Sequence, residues 1–184
     1  MTGGASELSD GAVVRAVLDG RADLYGVLVD RYQDSLYRYA ERMTGRPDEA
    51  SDIVQASFVK AYENLDHCRN AERVGAWLFR INVNQCKDYL KDRRRKDVKL
   101  DDAARLLAEQ DDPEMSAERR QLRDEIARAL YRLTEDEREA FVLKHLEGFS
   151  YHEMSKMLKV SVPALKMRVH RAREELQILL EDYE

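Results

Sequence analysis

Only two cysteines, Cys68 and Cys86, occur in 184 residues, too few for a disulfide framework. His67 stands beside Cys68, but one adjacent pair lacks the spacing of a zinc ligand set, so no metal site is expected. Cys86 falls within a helical pattern and reads as an inert small hydrophobe. Three prolines and eight glycines are too few for the turn-dense pattern of an all-β chain. No stretch approaches the ~20 apolar residues of a membrane span. Met1 to Asp10 is small and polar, without the apolar segment of a secretory leader. Glycine-rich phosphate cradles, nucleophile elbows and paired catalytic carboxylates are missing too. These absences point to an all-α, cytoplasmic protein that is not an enzyme and has no cofactor.

Charge is abundant but unevenly spread. The chain carries a net charge of −5, the wrong sign for a protein that clings to nucleic acid unaided. Yet Lys159 to Arg173 holds five Lys/Arg and no acid, and Glu174 to Glu184 holds five acids and no base. From Leu100 to Glu118 seven acids face one Arg, with Pro113 inside, the composition of a linker. DNA binding by a local basic face is therefore expected to be weak, or to depend on a partner.

Helix ends are readable in the segment from Leu133 to Leu179. Thr134-x-x-Glu137 and Ser150-x-x-Glu153 are capping boxes. In each, the hydroxyl accepts from an orphan backbone N–H and the Glu reaches back to the cap's own N–H. Gly148 stands where a helix needs a left-handed residue to stop. Met154, Met157 and Leu158 then form a short apolar face, Lys159-Val160-Ser161 makes a tight turn, and Pro163 opens a third helix, where a missing N–H costs nothing. That helix spaces Leu165, Val169, Ala172, Leu176 and Leu179 for burial and turns Lys166, Arg168, His170, Arg171 and Arg173 outward. This is a helix-turn-helix, a DNA-reading element. A solvated face would also account for the basic residues, but such a face mixes its signs to gain i,i+4 pairs. The segregation favours phosphates.

The first half reads as a second helical block. Ser9 or Asp10 caps a short helix carrying Val13, Val14, Val17 and Leu18, stopped at Gly20. A long helix follows, with Leu24, Leu28, Tyr32, Leu36 and Tyr39 or Ala40 inward, ended by Gly45. Pro47, Asp48 and Glu49 start the next helix, which repeats Ala50, Ile53, Val54, Phe58, Ala61, Tyr62 and Leu65. After a polar loop, Asp66 to Arg73, the period resumes at Val74, Trp77, Leu78 and Ile81 and runs into Lys91-Asp92-Arg93-Arg94-Arg95-Lys96. Trp77 suits either a base stack or the core, and its apolar stripe favours the core. In the second block, Leu122, Ile126, Ala129 and Leu130 are expected to support the helix-turn-helix.

Two groups of residues resemble a known family. Asp52-x-x-Gln55-x-x-Phe58-x-x-Ala61-Tyr62, then Ala76-Trp77-Leu78-x-x-Ile81-x-x-Asn84 and a basic run, is similar to region 2 of extracytoplasmic-function (ECF) sigma factors of the sigma-70 family. Leu133-Thr134-x-x-x-Arg138-Glu139-Ala140-Phe141, Gly148-Phe149-Ser150-Tyr151-x-Glu153 and Lys166-x-Arg168-x-x-Arg171-Ala172-Arg173-Glu174-x-Leu176 resemble region 4. The resemblance spans about Ala12 to Leu180 in the family's order. It implies region 2 over residues 10–98, an acidic linker over 99–115 and region 4 over 116–184.

It also implies partners and roles. Core RNA polymerase would be met through the clamp helices of its large subunit and through its flap, with Asp52, Gln55 and Ser57 as polar contacts and Ile53, Phe58 and Tyr62 in the core. The minus-10 element would be melted and held by Arg80, Asn84, Lys87, Lys91 and Arg94. In the loop before them, Asn70 would meet a flipped base while Arg69 and Arg73 hold flanking phosphates. Asn70 also suits a helix cap in a solvated turn. The minus-35 element would be read by Lys166, His170 and Arg171, with Met167 against a thymine methyl and Arg168 and Arg173 at phosphates. Pro163 and Ala164 depart from the family's usual start of that helix, as does Met167 in its place. No counterpart of the extra C-terminal domain of some ECF groups is expected. An anti-sigma factor is the expected controlling partner. The alternative, a free-standing dimeric regulator, leaves the first block without a purpose.

Overall fold

The computed structural model describes residues 8–95 and 116–181, and among these it contains helices and no strand. The expected linker lies outside the described residues. No described helix is long and apolar enough to cross a membrane.

The N-terminal block begins with α1 (Asp10–Leu18), capped by Ser9, whose hydroxyl accepts from Ala12 N–H. Three longer helices follow: α2 (Tyr25–Thr44), α3 (Pro47–Glu63) and α4 (Val74–Arg95). Gly45 ends α2 in the left-handed region at φ 70°, and Pro47 opens α3 as its position demands. The three pack on one another with α1 laid across them. Leu28, Leu36, Leu78 and Val83 are fully buried, each contributing about 1.5–3 kcal/mol of apolar burial. Between α3 and α4 the chain makes two single turns of 3-10 helix, Leu65–His67 and Ala71–Arg73.

The C-terminal block contains α5 (Ala117–Arg132), α6 (Glu135–Phe141), α7 (Tyr151–Leu158) and α8 (Val162–Glu181). Both capping boxes form, at Thr134 and at Ser150. The end of α6 widens into a π-helical turn, Val142–Leu146, before Gly148 at φ 75°. Lys159, at φ 57°, is a non-glycine left-handed residue, and Ser161 caps α8 through Ala164 N–H. Leu165, Val169, Ala172 and Leu176 are buried as their spacing requires.

Four apolar assignments are corrected by the packing. Leu122 and Ile126 are 56% and 42% exposed, so the buried apolar contacts to the helix-turn-helix come from Ala129 and Leu130 of α5 and from Leu133 at its C-cap. Tyr62 is 47% exposed, its ring standing edge-on to Tyr25 rather than inside. Leu18 also faces outward, past the last buried turn of α1.

The two blocks share one core. Phe79 of α4 meets Phe149 edge-on with ring centroids 5.0 Å apart, and Tyr39 of α2 meets Phe79 at 5.8 Å. Tyr131 O–H donates to the Glu41 carbonyl, and Arg42 pairs with Glu147 at 2.8 Å. Arg138 is fully buried and lies over the Tyr131 ring, 4.6 Å from its centroid.

Candidate nucleic-acid interface

Helix α8 presents Lys166, Met167, His170, Arg171 and Arg173 to solvent, opposite its buried stripe. Lys166 stands 5.9 Å from the Tyr151 ring, and His170 lies 3.5 Å from Glu174 one turn on. Arg168 is half-buried at the edge of this face and reaches Asp136 of α6 at 2.6 Å. Arg171, Lys166 and Met167 thus form the open part of the face, on the second helix of a helix-turn-helix.

A second basic face runs along α4. Arg80, Asn84, Lys87, Lys91 and Arg94 recur at intervals of 4, 3, 4 and 3, so they share one stripe about 21 Å long at 1.5 Å per residue. Arg80, Asn84, Lys91 and Arg94 are exposed and Lys87 is half-exposed, whereas Arg93 turns inward and donates to the Thr44 carbonyl. At the N-terminal end of the stripe stands the loop with Arg69, Asn70 and Arg73, all exposed. Asn70 has extended backbone and makes no side-chain cap to the 3-10 turn that follows, so the capping reading of this residue fails. Arg80 lies close enough to Cys68 to act on its thiol, but burial dominates and pushes that thiol up.

On α3 the expected polar contacts divide. Asp52 and Gln55 are exposed, and Gln55 lines an apolar groove of about 900 Å³ between α2 and α3 with Tyr25, Val29, Val59 and Tyr62. Ser57 is corrected: it is fully buried, donates to the Ile53 carbonyl, and lies 3.1 Å from Asn82 Oδ1. Asn82 in turn donates to the Leu36 carbonyl. Ser57 therefore ties α3 to α4 inside the block.

The family description Sigma-70 region 2 matches residues 28–96, and Sigma-70, region 4 matches residues 123–176. The chain is 32% identical to the ECF RNA polymerase sigma-E factor of Haemophilus influenzae, over 94% of this chain and 96% of that protein. It is 30% identical to the ECF RNA polymerase sigma factor SigW of Bacillus subtilis, over 92% and 95%. The chain belongs to the ECF group of the sigma-70 family.

Solved relatives agree in shape. CnrH, in complex with the cytosolic domain of CnrY, superposes with a TM-score of 0.69 at 29% identity, covering 95% of this chain and 99% of that one. The sigma factor RpoE of Bartonella quintana, in complex with the anti-sigma factor NepR, gives 0.66 at 28% identity, over 82% and 92%.

One group of residues in this sigma factor escaped the sequence reading. Glu135, Asp136 and Glu139 stand on one side of α6, and each meets a cation from the expected DNA faces. Glu139 lies 3.1 Å from Lys87, Glu135 lies 3.3 Å from Arg94, and Asp136 meets Arg168. Their spacing of i, i+1 and i+4 after the Thr134 cap was the available signal. Acids in a first turn also stabilise a helix N-terminus, which concealed a second use.

Proposed function

We propose that this sigma factor joins core RNA polymerase and directs it to promoters, with polymerase performing the chemistry. The groove between α2 and α3, lined in part by Gln55, receives the clamp helices, with the exposed Asp52 on the same helix as a further contact. The α4 stripe and its loop hold the melted minus-10 strand, and α8 enters the major groove of the minus-35 element. The observation that carries this reading is the pair of exposed basic faces, one in each matched family region, on a chain of net charge −5.

In the packed arrangement the acids of α6 hold Lys87, Arg94 and Arg168, so both DNA faces are partly engaged within the chain. Promoter binding then requires region 4 to leave region 2. An anti-sigma factor that keeps the blocks together suits this arrangement. A groove of about 530 Å³ between α2 and α5, lined by Leu122, Ile126 and Leu146, where Arg38, Arg42, Arg119 and Arg123 outnumber Glu41 and Asp124, fits an apolar helix with acidic flanks. The complexes of CnrH and RpoE support this choice of partner.

Run-off transcription with purified core polymerase on a promoter library tests the reading. Initiation should require both proteins, and the free chain should bind duplex promoter DNA poorly. Tight sequence-specific binding by the free chain at physiological salt would overturn it.

A further inference from the structure

We propose that Glu72 is a positioning residue for minus-10 recognition and that it works by resting on the first turn of α1. The proposal rests on the reading of the 66–73 loop as the pocket for a flipped base. Glu72 is the central residue of the single turn Ala71–Arg73, two positions after Asn70. Its carboxylate occupies the place where a side chain at position 11 would be. A Cβ added to Gly11 would fall 1.9 Å from Glu72 Oε1 and 2.3 Å from its Cδ. Glycine is a poor helix former, and here it leaves room for the carboxylate at a helix N-terminus. Ser9 already takes the Ala12 N–H there, and the helix dipole favours an anion. Arg15, one turn along, lies 3.6 Å from Glu72 Oε1, but both side chains are exposed and the pair adds little.

The shelf beneath Glu72 is itself fixed. Val13 and Val14 are buried against the core. Asp10 accepts from Arg31 at 2.7 Å and from the Tyr32 hydroxyl, and Arg31 also donates to the Leu8 carbonyl at 2.6 Å. The same Tyr32 ring covers the start of α4, where a Cβ on Gly75 would fall 2.6 Å from its hydroxyl. Two glycines, one on each side of the loop exit, thus let α1, the loop and α4 lock together. Asn70 itself makes no side-chain cap and stands exposed, while its carbonyl accepts from Arg73 N–H across Glu72 at 2.9 Å. A base-reading amide needs such support, because a flipped base returns its unstacking cost only to groups held in place.

The experiment uses full-length protein reconstituted with core polymerase, on promoters that differ only at the minus-10 base addressed by the loop. Glu72→Ala should lower discrimination among the four bases about threefold or more, the scale of coupling between contacting residues. Gly11→Ala should do the same by displacing the carboxylate, with an unchanged or higher melting temperature, since alanine favours the helix. The double variant should be no worse than Glu72→Ala alone. Polymerase affinity and minus-35 preference should stay as in the native protein. If Asn70→Ala loses discrimination while Glu72→Ala and Gly11→Ala keep it, the positioning role fails and the loop reading stands. If Asn70→Ala also keeps it, the loop reading fails and this proposal falls with it. Equal loss on every promoter would mark Glu72 as merely structural and overturn the proposal as well.

Discussion

Lys87 Nζ on α4 lies 3.1 Å from Glu139 Oε2 on α6, an ion pair that crosses from region 2 to region 4. The Glu139 side chain is almost wholly buried there, at 2% exposure, while Lys87 keeps 41%. Burial raises the Glu139 carboxyl above the usual carboxylate range, against the pull of Lys87 and Arg168 and with a push from Asp136. Glu41 and Glu147, at the same junction, are also raised by burial, with Arg42 opposing both.

A pH dependence of docking follows from these directions. A carboxyl raised in the docked state favours docking when protonated, and loses that contribution as pH rises through its raised value. Lowering pH from neutrality toward the ordinary carboxylate range should therefore increase the docked fraction. Fluorescence transfer between dyes on α3 and α8 would report it. Glu139→Gln should give a shallower slope, with Glu41 and Glu147 supplying the remainder. Docking that strengthens as pH rises would contradict the assignment.

Helix boundaries in this chain were legible because short-range chemistry decides them. Gly45, Pro47, Thr134, Gly148 and Ser150 each satisfy or spare a backbone group within four residues. Ser57 was misread for the opposite reason. Period 3.6 places it on the stripe of Ala50, Ile53, Val54 and Ala61, but its hydroxyl reads as a surface group until its partner Asn82, 25 residues away, is known. Asp136 drew no reading at all, because its partner Arg168 is 32 residues distant. The left-handed Lys159 has no side-chain signature at all. Motifs that meet within one element could be read, and those that meet across elements could not.

The two capping boxes should each contribute about 1 kcal/mol, the usual cost of replacing a hydroxyl cap with alanine. Thr134→Ala and Ser150→Ala are expected to lower stability by that amount in denaturant unfolding. The Ser150 cap carries a further signature. Hydrogen bonds from Ser150 hold the Glu153 carboxyl below its ordinary value, so their contribution is present above the ordinary carboxylate range and fades as pH falls. Ser150→Ala should therefore cost less at low pH. An equal cost at every pH would remove Glu153 from the cap.

Reading of the minus-35 element separates into base and phosphate contacts. Arg171 and Lys166 are exposed, and Ala in place of either should relax preference at one or two base pairs by about 1–3 kcal/mol if the contact is bidentate. Arg168 is held by Asp136 at the edge of the face, so Arg168→Ala should weaken all promoters alike and lower the salt slope by about one. Holoenzyme binding to a set of single-base minus-35 variants at several salt concentrations distinguishes the two patterns. Loss of the same size on every sequence for all three variants would show that none of them reads bases.

Ser57 and Gln55, two positions apart on α3, should separate stability from polymerase binding. Ser57→Ala leaves the buried Asn82 Oδ1 without the hydroxyl beside it, so unfolding free energy should fall by about 1–3 kcal/mol. Its affinity for core polymerase should hold once the protein is folded. Gln55 lines the apolar groove and makes no such internal tie, so Gln55→Ala should change stability by less than about 0.5 kcal/mol. Its loss should appear in polymerase affinity instead, since a polar group in the lining of an apolar groove sets the register of a docked helix. Thermal melts and a titration of labelled sigma factor with core polymerase measure both quantities on the same samples. A Ser57→Ala protein that melts normally but binds polymerase weakly would return Ser57 to the docking surface.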